Sequence, residues 1–224
     1  MSKRLKEANK LVDKAKLYSL NDAIAILKNI PTAKFNESID LAIKLNLSAK
    51  ELSQSIRGLV VLPHGTGKTI KVAVFCKGEH AQKAKDAGAD IVGADDLVEK
   101  VAGGFMDFDT VIAMPEMMKD ISKLGKILGP RGLMPSPKAG TVTNDVAKAV
   151  KEAKAGKVEF KMDKLGCVNM TVGKRSFEDV AIKENANSVI NAVAHARPAT
   201  VKGKFILSIA ISTTMGPGVK LDVA

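Results

Sequence analysis

The spacing of apolar residues changes twice along the chain, and this limits the folds that the sequence can adopt. Residues 39–47 are apolar at every second position, which predicts a strand with one buried face. From residue 70 onward, the short apolar runs IKVAVF, ADIVGA and DTVIAM alternate with helix-like segments, as in parallel βαβ units. After Gly156 the two-residue spacing returns in VEFKM and CVNMTVG. The order α+β, α/β, α+β predicts that the outer thirds of the chain fold together.

Helix-start signals add detail to the outer thirds. A basic, loosely amphipathic helix is predicted over residues 3–16. Ser19 with Asp22 resembles a capping box that precedes an apolar helix face. Ser176 with Asp179 has the same spacing and predicts the start of a long amphipathic helix.

The predicted architecture has two domains. Residues 1–67 and 158–224 form a split α+β domain, and residues 68–157 form an inserted Rossmann-like α/β domain. Two strands cross between the domains, and both crossings are rich in Gly and Lys, as linkers often are. We predict a hinge there, with these residues: Pro63, Gly65, Gly67 and Gly156.

The strong positive charge indicates a polyanionic partner. The net charge is +11 and the pI about 9.6, a balance typical of proteins that bind nucleic acid or an anionic surface. Residues 1–66 and 158–224 hold eight of the eleven excess positive charges, so the polyanion is expected on the split domain. No apolar run approaches the ~18 residues that span a bilayer, so no membrane partner is predicted. Cys76 and Cys167 lie far apart in sequence, which fits a reducing cytoplasm.

The stretch LPHGTGKT ends like a phosphate-binding P-loop but lacks its first glycine. The motif requires Gly five positions before Gly67, where this chain has Leu62. A P-loop also opens a helix, whereas Lys68 and Thr69 run into a predicted strand. The histidines are isolated in sequence, and no GxGxxG or HExxH occurs. We therefore predict no cofactor, no metal and no enzymatic activity, with a Rossmann-type nucleotide-dependent enzyme as the alternative.

Three short segments combine basic, hydroxyl and glycine residues. They are residues 34–38, residues 163–171 and residues 212–216. Hydroxyls bond ribose and phosphate, glycine permits close backbone approach, and Phe or Met offers a surface for a base. The residues alone leave simpler alternatives open, namely a core Phe35, a solvated hairpin and an ordinary strand-ending turn.

Several longer motifs resemble one family across nearly the whole chain. KFNESIDLAIKLNL, IRGLVVLPHGTGK, LGPRGLMPSPKAGTV and ISTTMGPGV occur in that order. Together they resemble the ribosomal protein L1 family of the bacterial large subunit. The resemblance implies a non-enzymatic, two-domain protein that binds large-subunit rRNA mainly through its split domain. It also implies a mobile stalk that helps deacylated tRNA leave the exit site, and repression of translation through the protein's own operon mRNA.

The resemblance also implies a cytoplasmic protein on the large ribosomal subunit that is a monomer when free. Asn169 stands where the family commonly has His, so it can form hydrogen bonds but cannot charge or stack like imidazole. The RNA contacts that the resemblance implies are at Lys34, Phe35, Asn36, Ser38, Asp163, Lys164, Asn169, Thr171, Ser212, Thr213, Thr214, Met215 and Gly216.

Overall fold

The structure is a computed structural model that describes residues 3–13, 15–31, 33–47, 56–137, 140–198, 201 and 203–222. Contacts divide the chain into two compact units. Unit 1 comprises Met1–Gly67 and Val158–Ala224, and unit 2 comprises Lys68–Lys157. Each unit has its own hydrophobic core. The mixed α and β composition expected from the sequence is confirmed.

The described elements follow in chain order. The α-helices are α1 (Lys3–Lys10), α2 (Leu20–Asn29), α3 (Glu79–Asp86), α4 (Asp95–Ala102), α5 (Met118–Ser122), α6 (Gly125–Leu128), α7 (Val146–Lys154) and α8 (Asp179–His195). The strands are β1 (Ser38–Leu45), β2 (Arg57–Val61), β3 (Val72–Phe75), β4 (Ile91–Gly93), β5 (Thr110–Ala113), β6 (Lys157–Lys161), β7 (Cys167–Lys174), β8 (Ile206–Thr213) and β9 (Val219–Leu221). A 3-10 turn, Pro115–Met117, precedes α5.

Unit 1 is built on a four-stranded sheet in the order β7-β1-β8-β9, with antiparallel pairing throughout. Along β1, Ile39, Leu41, Ile43 and Leu45 are buried and alternate with more exposed residues, which confirms the predicted two-residue spacing. The buried residues share one core with the apolar faces of α2 and α8. The opposite face of the sheet carries the residues in between, so one side is covered and the other is open.

Unit 2 has a parallel sheet in the order β4-β3-β5 with helices on both faces. Val72 and Val74 face a core shared with α3 and α7. Ala73 and Phe75 face a second core shared with α4, α5 and α6. Burial on both faces explains why β3 is a continuous apolar run in the sequence rather than an alternating one.

The two predicted helix starts of unit 1 differ in outcome. Ser19 caps α2, and its hydroxyl oxygen accepts a hydrogen bond from the Asp22 amide (3.2 Å), as predicted. The prediction for Ser176 is wrong, because Glu178 occupies the N-cap position of α8 and forms no side-chain cap. The Ser176 hydroxyl instead accepts a hydrogen bond from Asn36 Nδ2 (2.9 Å), so its side chain serves a loop and not the helix.

The first helix is shorter than the sequence pattern predicts, because α1 ends at Lys10 and not near residue 16. Asp13 gives the physical reason, since its carboxylate accepts a hydrogen bond from the Ala15 amide (2.9 Å). Such local bonds satisfy the backbone outside a helix and compete with helix formation.

Candidate RNA-binding surface

The structure brings two of the three predicted segments together. Residues 34–38 lead into β1, and residues 212–216 complete β8 and the turn after it. Since β1 and β8 are antiparallel, with Ile39 opposite Thr213, both segments lie at the same end of the sheet. We call this the near end.

The third segment begins at the opposite end, which we call the far end. Residues 163–166 form the turn before β7, and the Gly166 carbonyl accepts a hydrogen bond from the Leu45 amide (2.8 Å) where β1 ends. Near and far ends are separated by the length of the eight-residue β1, about 23 Å at ~3.3 Å per step. The predicted residues therefore form two groups joined by the open sheet face.

At the near end, Ser38 and Thr214 hold the two segments together. The Thr214 amide donates to the Ser38 carbonyl (3.0 Å), and the Ser38 amide donates to the Thr214 hydroxyl oxygen (3.0 Å). Beside this pair, the side chains of Phe35 and Met215 are 54% and 53% exposed. Large apolar side chains held in water on a polar loop are suited to stacking against unpaired bases.

The Thr213 side chain explains why residue 216 is glycine. The Thr213 side chain is only 2% exposed, and its hydroxyl has no hydrogen-bond partner among the described residues. A Cβ at Gly216 would lie 2.3 Å from that oxygen, well inside van der Waals contact. The tight turn therefore requires glycine on steric grounds, and its bare backbone is accessible to a close ligand.

A buried carboxylate supports the near end, and the sequence interpretation did not single it out. Glu37 is 0% exposed and lies between Arg4 (3.3 Å) and Arg175 (3.5 Å). Arg175 Nη2 also donates to the Ile30 carbonyl (2.7 Å), and Arg4 Nη1 donates to the Pro31 carbonyl (3.2 Å). We call Arg4, Glu37 and Arg175 the Glu37 cluster.

The contact between Glu37 Oε2 and Arg175 Nη1 is electrostatic only. The two atoms are 3.5 Å apart, but neither has a hydrogen-bond partner among the described residues. A signal for this cluster did exist in the sequence, since Glu37 falls on the same parity as the buried residues of β1. A carboxylate at an inward position needs a cationic partner.

At the far end, the Asp163 side chain forms hydrogen bonds within the turn itself. Its carboxylate accepts hydrogen bonds from the amides of Leu165 (2.9 Å) and Cys167 (2.8 Å). Lys44 Nζ donates to the Leu165 carbonyl, which closes the turn against β1. Lys164 projects from the turn and is exposed, so its charge is available to a phosphate.

Between the two ends, the open face carries small and polar side chains. Asn169 and Ala210 lie on either side of the exposed Ala42, in register across three strands. The neighbouring row contains Thr171, whose hydroxyl donates to the Asp40 carboxylate (2.6 Å), and Ser212 on the other side of Asp40. The sequence interpretation missed the two alanines, although their alternation with buried residues placed them on this face.

The LPHGTGKT stretch does not form a phosphate-binding loop. A turn follows the buried Leu62, and the next regular element is strand β3, not a helix. Lys68 donates to the Asp109 carboxylate, and this bond is the main reason that the pKa of Asp109 is lowered. Because that ammonium is already paired and the loop leads into a strand and not a helix, the nucleotide-dependent enzyme alternative is not supported.

Similarity to known proteins identifies the family. A family model described as the ribosomal protein L1p/L10e family matches residues 27–217. The chain belongs to the ribosomal protein L1p/L10e family. The large ribosomal subunit protein uL1 of Thermosipho africanus is 55% identical over 224 residues, covering 100% of this chain and 97% of the relative. The protein of that name from Protochlamydia amoebophila is 52% identical over 222 residues, covering 99% and 94%.

Membership of the L1p/L10e family confirms the resemblance and the prediction that the chain is a ribosomal protein and not an enzyme. Within the residues that the structure describes, no cluster of His, Cys, Asp or Glu is arranged to hold a metal ion. No described helix has the length and apolarity to cross a bilayer.

The hinge of this L1p/L10e family member stays a prediction, although its residues have distinctive conformations. Gly65, Gly67 and Gly156 have φ angles of 63°, 72° and 100°, which L side chains rarely adopt. Pro63 lies in the turn between β2 and Gly65, and Gly156 directly precedes β6. Asn185 of α8 fixes part of the segment, because its Nδ2 donates to the Gly65 carbonyl (2.9 Å).

Proposed function

We propose that this protein binds large-subunit ribosomal RNA through the open sheet face and both ends of the sheet in unit 1, which acts as the RNA-binding domain. The observation that most directly supports this proposal is the pair of exposed side chains, Phe35 and Met215, beside the hydrogen-bonded Ser38 and Thr214. Family membership supports an rRNA-binding role. Unit 1 also holds most of the excess positive charge of the chain.

Each part of the surface has a distinct task in this proposal. Phe35 and Met215 contact unpaired bases, and the bare backbone at Gly216 admits a ribose. Lys34 and Lys164 neutralise phosphates at the near and far ends, respectively. Since these ends are about 23 Å apart, the surface suits a folded RNA that presents several nucleotides, not a single base.

We also propose a wider role, which rests on the family and not on the geometry of the surface. Relatives are named large ribosomal subunit protein uL1, so we place this protein in the large subunit of the cytoplasmic ribosome. There it forms the mobile stalk beside the exit site and assists release of deacylated tRNA, with unit 2 as a Rossmann-like inserted domain. A stem in its own operon mRNA that has the shape of the rRNA site would compete for this surface, which makes the free monomeric protein a translational repressor.

The test removes contacts from the near end. Thr214→Val and Met215→Ala should each weaken binding to purified Thermosipho africanus large-subunit rRNA by about 1–3 kcal/mol, taking lost base contacts as the scale. Filter binding at several salt concentrations gives the affinities. Val180→Ala is the matched control, because Val180 is an exposed apolar residue on α8, outside the sheet. If both variants bound like the parent protein, the assigned surface would be wrong.

A further inference from the structure

We infer that Arg4, in the N-terminal helix α1, is a positioning residue that holds residues 213–216, the TTMG loop, in its RNA-binding conformation. It acts on the RNA through the loop and not by direct contact. This inference rests on the proposed function, since it concerns the same surface. It assigns a task to a helix that is distant in sequence from the loop.

The contacts of Arg4 reach three separate segments. Nη2 donates to the carbonyl of Met215 (2.8 Å), which lies within the TTMG loop. Nη1 donates to the carbonyl of Pro31 (3.2 Å) and to Oε1 of Glu37 (3.3 Å). One guanidinium therefore joins the end of α2, the approach to β1 and the TTMG loop.

The position of this guanidinium is itself fixed. Glu37 is fully buried, and its second oxygen faces Arg175, so the carboxylate is held from both sides. The planar fork of Arg can serve acceptors in several directions at once, whereas a Lys ammonium is a compact point charge on a flexible stem. A Lys at position 4 would keep the positive charge but could not bind the three acceptors in the same geometry.

Among the described residues, the turn at Thr214 and Met215 is tied to other segments at two points, and Arg4 supplies one of them. Thr214 is tied to Ser38 by backbone and hydroxyl hydrogen bonds. The carbonyl of the next residue, Met215, is tied by Arg4, and the Met215 side chain projects into water. Losing the second anchor leaves Met215 to be ordered when RNA binds, and that ordering reduces affinity.

The competing explanation is that Arg4 binds phosphate directly, like any basic residue of α1. The two explanations differ in salt dependence. A lost phosphate contact lowers the slope of log K against log salt by about 1, whereas a lost positioning contact leaves the slope unchanged. They also predict different results for Arg4→Lys. A direct phosphate contact would survive because the charge is kept, whereas positioning would be lost with the planar guanidinium.

The experiment compares Arg4→Met, Arg4→Lys and the charge-matched control Lys6→Met, which changes an exposed residue of the same helix. Binding to Thermosipho africanus large-subunit rRNA is measured by filter binding from low to high salt. We expect Arg4→Met and Arg4→Lys to bind at least about tenfold more weakly with the parent slope. Lys6→Met should stay within about threefold of the parent. A normal affinity for Arg4→Lys, or a reduced slope for Arg4→Met, would overturn the inference.

A double-mutant cycle isolates the route through the loop. If Arg4 acts by placing Met215, the variant with both Arg4→Met and Met215→Ala should bind no more than about twofold worse than Met215→Ala alone. Fully additive losses would contradict this route.

A measurement without RNA separates the two proposals. Amide hydrogen exchange at Thr214 and Gly216 should be faster in free Arg4→Met than in the parent or in Lys6→Met. Unchanged exchange would refute positioning by Arg4, whatever the RNA result. If the parent protein failed to bind the rRNA while exchange changed as expected, the proposed function would fail and the loop anchor would stand.

Discussion

At the scale of single residues, the near end depends on one missing methyl group. A Cβ at Gly216 would meet Thr213 Oγ1 at 2.3 Å, and Thr213 is buried beside β1 with little room to move. Glycine there is required by the neighbouring side chain and not by φ, since Gly216 is not among the glycines with positive φ. The sequence alone indicated a turn, but it could not show which atom fills the space.

We predict that Gly216→Ala weakens rRNA binding at least about tenfold, or about 1.4 kcal/mol, because the loop must shift away from Thr213. Thr213→Ala removes the obstructing oxygen, so the double variant should recover most of the lost affinity. Filter binding of both single variants and the double variant provides the measurement. If the double variant bound as weakly as Gly216→Ala, the steric explanation would be wrong.

At the scale of elements, the strand β1 was predictable from the sequence, but the strands that pair with it were not. Alternating apolar residues identified the strand and its two faces. The register with β7 and β8 depends on distant segments, and that register places Asn169 and Ala210 beside Ala42. The start of α8 was wrongly predicted: Glu178 is its N-cap, and the Ser176 hydroxyl accepts a hydrogen bond from Asn36, which is far away in sequence.

The open face gives an element-scale prediction. Ala42→Glu should reduce rRNA affinity about tenfold or more, because it places a negative charge at the centre of the proposed RNA surface, where it repels the polyanion. Ala42→Gln is the control of similar size without charge and should have a smaller effect. Binding titrations at low and high salt test this, and the difference between the variants should shrink as salt screens the charge. Equal affinity of both variants and the parent at low salt would exclude this face from the interface.

At the scale of the whole molecule, the chain divides into two compact units, and unit 1 ends at Gly67 and resumes at Val158. β2 and β6 pair with each other, so the chain leaves unit 1 and re-enters it in neighbouring strands.

We predict that a chain lacking residues 68–157, closed by a short Gly-Ser linker, binds rRNA within about tenfold of the full chain. Its salt slope should also be similar, because the proposed phosphate contacts all lie in unit 1. Filter binding measures affinity, and circular dichroism with hydrogen exchange establishes that the shortened chain is folded. A folded chain without affinity for rRNA would show that unit 2 supplies essential contacts.

The sequence by itself determined the strand and helix periods, the basic character, the absence of a P-loop and the family. Those properties are local or compositional, so they can be read without knowing which segments meet. Only the tertiary structure decided that Arg4, Glu37 and Met215 converge, and that the predicted RNA contacts divide between the two ends of one sheet. Such convergence depends on strand register and on hydrogen bonds between residues up to 211 positions apart. Periodicity carries no information about partners at that separation.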